Sequence, residues 1–287
     1  MFTMIDTVDM YFKFKSKKDY DACYAIIDEC SKQQANQRLH KKNKMPRYIT
    51  TAFADKGFLE IAFEKHKSKD SYYFIKIFLQ PIRLLRPNNR IEVSHFNDYR
   101  EISKRFDLFI DLFTPDDKTP ILPPLKNWIV SRIDYAVNIP TPHVKDYLQL
   151  FYAGHIPTGF SNNTFYPDSF YLASQNGRIN FYNKIHQLIE KHHYTPEYIE
   201  KSFPLYAKGL LRLEFQCSNR YIQYLKSIYA IKKPNLRAFW KVNIAEYVLK
   251  NRIGSVIGTN DFYSLTSCFD KLMHDQGTNR KIGRAHV

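Results

Sequence analysis

Apolar and polar residues alternate in short runs through the first third of the chain. Val8, Met10, Phe12 and Phe14 recur at every second position over about residues 8–15, and comparable runs occupy about 57–65, 72–80 and 90–97, each bounded by polar or Pro/Asn clusters. Because successive side chains of an extended chain point to opposite faces, this spacing predicts four strands. Between the first two, Tyr20, Cys23, Tyr24, Ile27 and Cys30 follow helical spacing and predict a helix over about 18–35. Ile102, Phe106, Phe109 and Ile110 predict a second one over about 98–112. The loop from Thr114 to Pro124, with Pro115, Pro120, Pro123 and Pro124, then reads as a seam between two halves.

Past the seam the pattern predicts a strand at 127–139, a helix at 142–153, strands at 168–174 and 177–185, a helix at 186–203 and a strand at 209–217. The order β-α-β-β-α-β is ferredoxin-like, and the class is α+β, with antiparallel sheets carrying helices on one face. A helix at 218–230 follows, and after the Lys232-Lys233-Pro234 break helices at 236–250 and 261–274, the last behind a cap at Asn260, predict a helical C-terminal tail. The expected division is an N-terminal α+β half over 1–125, the βαββαβ half over 126–230 and a truncated helical accessory region over 231–281. Residues 282–287, Ile-Gly-Arg-Ala-His-Val, also read as the translation of a common sequencing-library adapter, and are expected to be an artefact rather than natural sequence.

The second-half strands have unlike faces. Ile133, Tyr135, Val137 and Ile139 oppose Arg132, Asp134 and Asn138; Ile179, Phe181 and Ile185 oppose Arg178, Asn180, Tyr182 and Lys184. Leu211, Leu213, Phe215 and Cys217 oppose Arg212, Glu214 and Gln216. In a ferredoxin-like order the first strand lies between the third and fourth, which would set Asp134, Tyr182 and Glu214 on three adjacent strands of one open face, among Arg132, Arg178, Lys184 and Arg212. A sheet covered on one side shows water a polar second face without any function. Two acids, a tyrosine and several bases together are, however, what metal-assisted attack on a phosphodiester requires. Carboxylates are hard ligands for Mg2+ or Mn2+, the ion stabilises charge on phosphate oxygens, and a phenolic oxygen can form an ester. With an ordinary pKa near 10, a tyrosine needs a base or a nearby cation to attack, and Lys184 is a candidate for that help.

Charge adds to this reading. Lys and Arg number 43 against 28 Asp and Glu, a formal +15 that favours a polyanionic partner. Part of that excess has a bland source, since heavy use of Lys, Asn, Ile, Tyr and Phe with few Gly follows from AT-rich coding. The hydrophobic share of 44% excludes a disordered chain. The run Tyr72 to Leu79 is broken by Lys76 and too short for a membrane span. Asp6 and Asp9 sit where a secretory signal would be basic and then apolar, and Cys23, Cys30, Cys217 and Cys268 have no metal-like spacing, so the expected compartment is the cytoplasm with reduced thiols.

Arg132-Ile133-Asp134, the run Arg178 to Lys184 and Leu211-Arg212-Leu213-Glu214 carry a resemblance over about residues 5–225. With them the chain resembles rolling-circle replication initiators, both plasmid replication initiation factors of staphylococcal type and gene II-type proteins of filamentous phages. The start, Ile5-Asp6-Thr7-Val8-Asp9-Met10, resembles the phage group. The resemblance implies an HUH-endonuclease or RRM-like sheet and a nickase that cuts and rejoins single-stranded origin DNA through a 5′-phosphotyrosine, leaving a 3′ hydroxyl. It implies Tyr182 as nucleophile with Lys184 beside it and Asp134 and Glu214 as the strand acids, expected to hold Mg2+ or Mn2+; the bases and amide on the same face, Arg132, Arg178, Asn180 and Arg212, are then expected to contact DNA. Implied partners are origin DNA, a host helicase and polymerase, and a second copy in a homodimer, in the bacterial cytoplasm.

Two features depart from the family pattern. There is no His-x-His metal motif, His192 and His193 being adjacent at the expected end of a solvated helix, and Gln187 stands where relatives carry an acid three residues after the lysine. His95 is a candidate nitrogen ligand, against the plainer reading of a packed strand histidine; Glu60 and Glu64 are expected to be exposed. The alternative function is a non-catalytic nucleic-acid-binding protein that uses the same open RRM-like sheet. The shared face of Asp134, Tyr182 and Glu214 is what favours cleavage.

Overall fold

A computed structural model of the chain describes residues 4–35, 39–41, 47–66, 72–114, 120–153, 156–160 and 162–257. The described elements run β1 (Met4–Lys13), α1 (Lys17–Ala35), β2 (His40–Lys41), β3 (Arg47–Thr50), β4 (Phe58–His66), β5 (Tyr72–Leu79), α2 (Ile82–Leu85), α3 (Tyr99–Asp111) and β6 (Ile129–Pro140). They continue with α4 (Val144–Ala153), β7 (Asn162–Tyr166), β8 (Ser169–Ser174), β9 (Gly177–Asn183), α5 (Lys184–His192), α6 (Pro196–Ser202) and β10 (Leu210–Cys217). Helices α7 (Asn219–Ile228), α8 (Leu236–Phe239) and α9 (Val242–Ile257) follow, so the α+β class and the helical C-terminal part are as expected. The chain divides into two compact units, the first made of residues up to Val137 with Gln216–Glu246, the second of Asn138–Phe215 with residues from Tyr247 onward.

In the first unit the strand order is β2-β3-β4-β5-β1-β6, with antiparallel pairing throughout. The register sets Val8 opposite Leu79 and Ile133, and Met10 opposite Ile77 and Val130, so one face collects a continuous apolar layer. Helix α1 covers part of it, Tyr20 meeting Phe63 edge-on at 5.5 Å, with Cys23 and Ile27 fully buried. Phe109 of α3 stacks on Phe58 at 3.8 Å, and Trp128 is buried with its indole N–H donating to the Pro123 carbonyl at 2.9 Å. Tyr135 is one of the many tyrosines that serve packing: fully buried, it donates to the Phe239 carbonyl at 2.8 Å, and burial pushes its hydroxyl well above its ordinary pKa.

In the second unit the order is β7-β8-β9-β10. Phe170, Leu172, Ile179 and Phe181 form its apolar face, and Phe151 of α4 lies 4.7 Å from Phe181. A ferredoxin-like βαββαβ arrangement is not what this unit adopts. It has the additional strand β7, and β9 lies next to β10, so no strand runs between them. Strand β7 was hidden because Asn162-Asn163-Thr164-Phe165-Tyr166 has no apolar alternation; its pairing with β8, from Asn162 opposite Ala173 to Tyr166 opposite Ser169, makes it a strand.

Other departures have local causes. Residues 90–97 form no strand, only a bridge between Ile5 and Ser94, because the Asn89 side chain accepts from the backbone of Ile91 and Glu92 and holds a loop. The helix expected at 186–203 is two, α5 and α6: His193 turns left-handed, and Thr195 caps Tyr198 ahead of Pro196. The helix expected at 236–250 is also two, α8 ending at Phe239 before Trp240, whose indole donates to the Phe96 carbonyl at 3.1 Å. The predicted helix at 261–274 and the adapter-like residues 282–287 lie outside the described residues.

Candidate active site

Alternation along β9 sends Ile179 and Phe181 into the apolar layer and Arg178, Asn180 and Tyr182 to the other side. On β10 the same alternation turns Arg212 and Glu214 away from the buried Leu211 and Leu213. Glu214 sits between two neutral donors: the Asn180 amide reaches Oε1 at 3.0 Å, and the Tyr182 hydroxyl reaches Oε2 at 3.1 Å. Lys184 is not a strand residue. Asn183 ends β9 and caps α5 by accepting from the His186 N–H at 3.1 Å, so Lys184 opens the helix. Its ammonium nonetheless lies 5.8 Å from the Tyr182 ring centroid and donates to Gln187 Oε1 at 2.8 Å, so the residue that replaces the family acid is its partner.

The polar face was expected to meet water. Glu214 is instead only 4% exposed, Asn180 and Lys184 are buried, and Arg212 is fully buried with its Nε donating to Asn138 Oδ1 at 2.8 Å. Buried ionisable groups persist only when they are paired and hydrogen-bonded, which a solvated sheet face would not need. Arg178 stays exposed, its guanidinium 5.1 Å from the Tyr171 ring centroid.

Asp134 belongs to the first unit and is 1% exposed. Arg132, two residues earlier on the same face, grips it in a fork, Nε to Oδ1 at 3.0 Å and Nη2 to Oδ2 at 2.8 Å, and Thr7 of β1 donates to Oδ2 as well. The same guanidinium lies 3.5 Å from Asp9 and 4.8 Å from the Phe78 ring centroid. Thr7 and Asp9 had no assigned role in the sequence, although their alternation with Val8 and Met10 puts them on this face. The structure therefore gathers Tyr182, Asn180, Glu214 and Lys184 in one unit, and Asp134, Arg132, Thr7 and Asp9 in the other.

Each unit holds one buried carboxylate of the hard-oxygen kind that suits Mg2+ or Mn2+, Asp134 in the first and Glu214 in the second. Among the described residues no group of three or more His, Cys, Asp and Glu side chains gathers to cage an ion. Mg2+ usually takes one or two carboxylates and keeps waters and substrate phosphate as its other ligands, so either carboxylate taken by itself fits in kind. His95 caps the short turn at Phe96–Asp98, its Nδ1 accepting from the Asn97 N–H at 3.3 Å. Glu60 and Glu64, expected in solvent, are half-buried in an ion-pair chain: Arg47 binds both, and Lys76 lies 2.6 Å from Glu64.

Asp9 yields a pH prediction. Burial raises its pKa above the ordinary carboxylate value, Glu60 adds to the rise, and Arg132, Arg47 and Lys76 oppose it. The folded state thus holds the proton more tightly than the unfolded state. Its contribution to stability is greatest below the unfolded pKa, about 3.9, and declines as pH rises towards the folded value. Asp9→Asn should lack that decline, so urea unfolding across pH should show the variant gaining on the wild type through this window. Parallel curves would contradict the burial argument.

Residues 4–245 match the family model described as the N-terminal region of the gene II replication-associated protein. Most of the chain is covered, and the chain belongs to this family of filamentous-phage gene II-type replication initiators. No curated protein and no solved structure matched the chain. Among the described residues no helix is long and apolar enough to cross a membrane.

Proposed function

We propose that this replication initiator nicks one strand of its origin and rejoins it through a covalent 5′-phosphotyrosine on Tyr182. What carries the reading is the Tyr182 hydroxyl donating 3.1 Å to a buried carboxylate, with an ammonium 5.8 Å from its ring. In the cutting step the phenolic proton passes to Glu214, the Tyr182 oxygen bonds to phosphorus, and the bond to the 3′ oxygen breaks, that oxygen leaving as a hydroxyl after it takes up a proton. Rejoining reverses these changes. Lys184 favours the phenolate, and Asn180 holds the Glu214 carboxylate in line with the hydroxyl. Arg178, which is exposed, contributes positive charge for the DNA backbone, whereas Arg212, expected there from the sequence, is fully buried on Asn138 and out of its reach. Asp134 in the first unit and Glu214 in the second are each a carboxylate that would serve as a ligand of Mg2+ or Mn2+, which when bound supplies positive charge to the phosphate oxygens. Origin DNA, a host helicase and polymerase, and a second copy of the chain are the partners this reading calls for.

The test is incubation with end-labelled single-stranded origin DNA and Mn2+, followed by denaturing electrophoresis and peptide mapping. An SDS-resistant adduct on Tyr182 that retains the 5′ end of the downstream fragment is expected. DNA binding with no adduct on any origin strand would leave the non-catalytic binding protein as the better reading.

A further inference from the structure

We infer that Tyr166, Tyr171 and Arg178 form a stacking seat for one unpaired base of single-stranded DNA, beside the phosphate that Tyr182 attacks. The inference rests on the nicking reading for its location only. The register sets Tyr166 opposite Ser169, Ser169 opposite Tyr182, and Tyr171 opposite Asn180, so these side chains share the face of Tyr182.

The three groups are arranged like a platform. The rings of Tyr166 and Tyr171 have centroids 6.2 Å apart at 32°, and the Arg178 guanidinium lies 5.1 Å from the Tyr171 centroid. The Thr164 hydroxyl, and after it the Tyr166 hydroxyl and the Arg178 charge, hold the Tyr171 pKa below its ordinary value against the opposing effect of desolvation. Tyr166 is 53% exposed and Arg178 is exposed, so both are open to a ligand on this face.

Charge decides the occupant. The guanidinium is cationic, and Asp168, in the turn between β7 and β8, is engaged by His186 at 3.2 Å. An aromatic ring flanked by a cation is the element with which proteins hold unpaired bases, whereas a duplex offers no free base face. Because neighbouring strands lie about 4.8 Å apart, the seat should take a base within about two nucleotides of the scissile phosphate.

The test is an abasic scan of single-stranded origin DNA, read by fluorescence anisotropy without divalent metal and on a Tyr182→Phe background. One abasic position near the cleavage point should weaken binding about tenfold, stacking being worth roughly 1–3 kcal/mol per base. Tyr171→Ser should bind the intact strand about tenfold more weakly and show no further loss at that position, while Tyr171→Phe keeps the wild-type pattern. If Tyr171→Ser retains the full abasic penalty, or no position is sensitive, the inference fails. Should Tyr171→Ser not fold by its melting curve, Tyr166→Ser on the exposed ring carries the same comparison. The base-dependent binding with no adduct in the nicking assay would sink the nicking reading alone, and an adduct with no base-dependent binding would sink this inference alone.

Discussion

Tyr182→Phe is expected to abolish the covalent adduct and lower strand cleavage by roughly 10⁴-fold or more, the scale on which enzymes lose activity with their nucleophile. The change removes one oxygen and keeps the ring, so Lys184 retains the aromatic face it lies near and the β9 backbone has no reason to move. Binding of single-stranded origin DNA should therefore stay within a few-fold of the wild type. Glu214 loses one of its donors while Asn180 remains on Oε1, so a stability loss of about 1–3 kcal/mol should accompany the change. Melting curves and anisotropy measured beside the cleavage assay separate loss of chemistry from loss of fold. If Tyr182→Phe cleaves like the wild type, another residue is the nucleophile.

Glu214→Gln sharpens the same point. It keeps the shape of the side chain but removes the charge and the capacity to take the phenolic proton. A variant that binds DNA normally, cleaves poorly at neutral pH and recovers as pH rises towards the ordinary tyrosine pKa near 10 would mark Glu214 as the proton acceptor.

The association of Tyr182 with Glu214 and Asn180 was legible because the parity of side chains along a strand is a local property. Once residues 177–183 and 210–217 are strands, Arg178, Asn180 and Tyr182 must share one side of the first, and Arg212 and Glu214 must share one side of the second. Strand adjacency is set by the whole sheet, and the ferredoxin-like order failed there: β7 carries no alternation, and β9 pairs into the order beside β10. Capping was a second blind spot. Tyr-x-Lys reads as continued alternation, yet the Asn183 side chain ends the strand by capping His186. Burial of the polar face was a third, because parity says which way Glu214 points and nothing about what lies above it. At residues 89–94 buried Ile91 and Val93 mimic a strand, while Asn89 satisfies the backbone locally instead.

Gly209→Ala should produce the largest loss of stability among single methyl additions in the second unit. Gly209 has φ of +143°, outside the range L-residues favour, and a Cβ built there would lie 2.3 Å from the Thr141 carbonyl oxygen and 3.3 Å from Val144 Cγ2. The nearest atom is backbone, so no side-chain rotation relieves the overlap; the chain must shift. Thr141 also donates to the Gly209 carbonyl at 3.1 Å, and that bond ties the segment after β6 to the start of β10. Strain and overlap together should cost about 3 kcal/mol or more, a fall in Tm of roughly 10 °C for a chain of this size. Gly159→Ala is the control for conformation alone: φ is +91° but nothing lies within 4 Å of the added methyl, so a loss of about 1 kcal/mol is expected. Gly254→Ala, in α9 with open space around it, should be neutral or stabilise by up to about 1 kcal/mol. Because Gly209 directly precedes the strand that carries Arg212 and Glu214, Gly209→Ala should also lose adduct formation at temperatures where it remains folded. A variant that melts within about 2 °C of the wild type would show that the backbone yields there at little cost, and that the position of Glu214 does not depend on this tight passage.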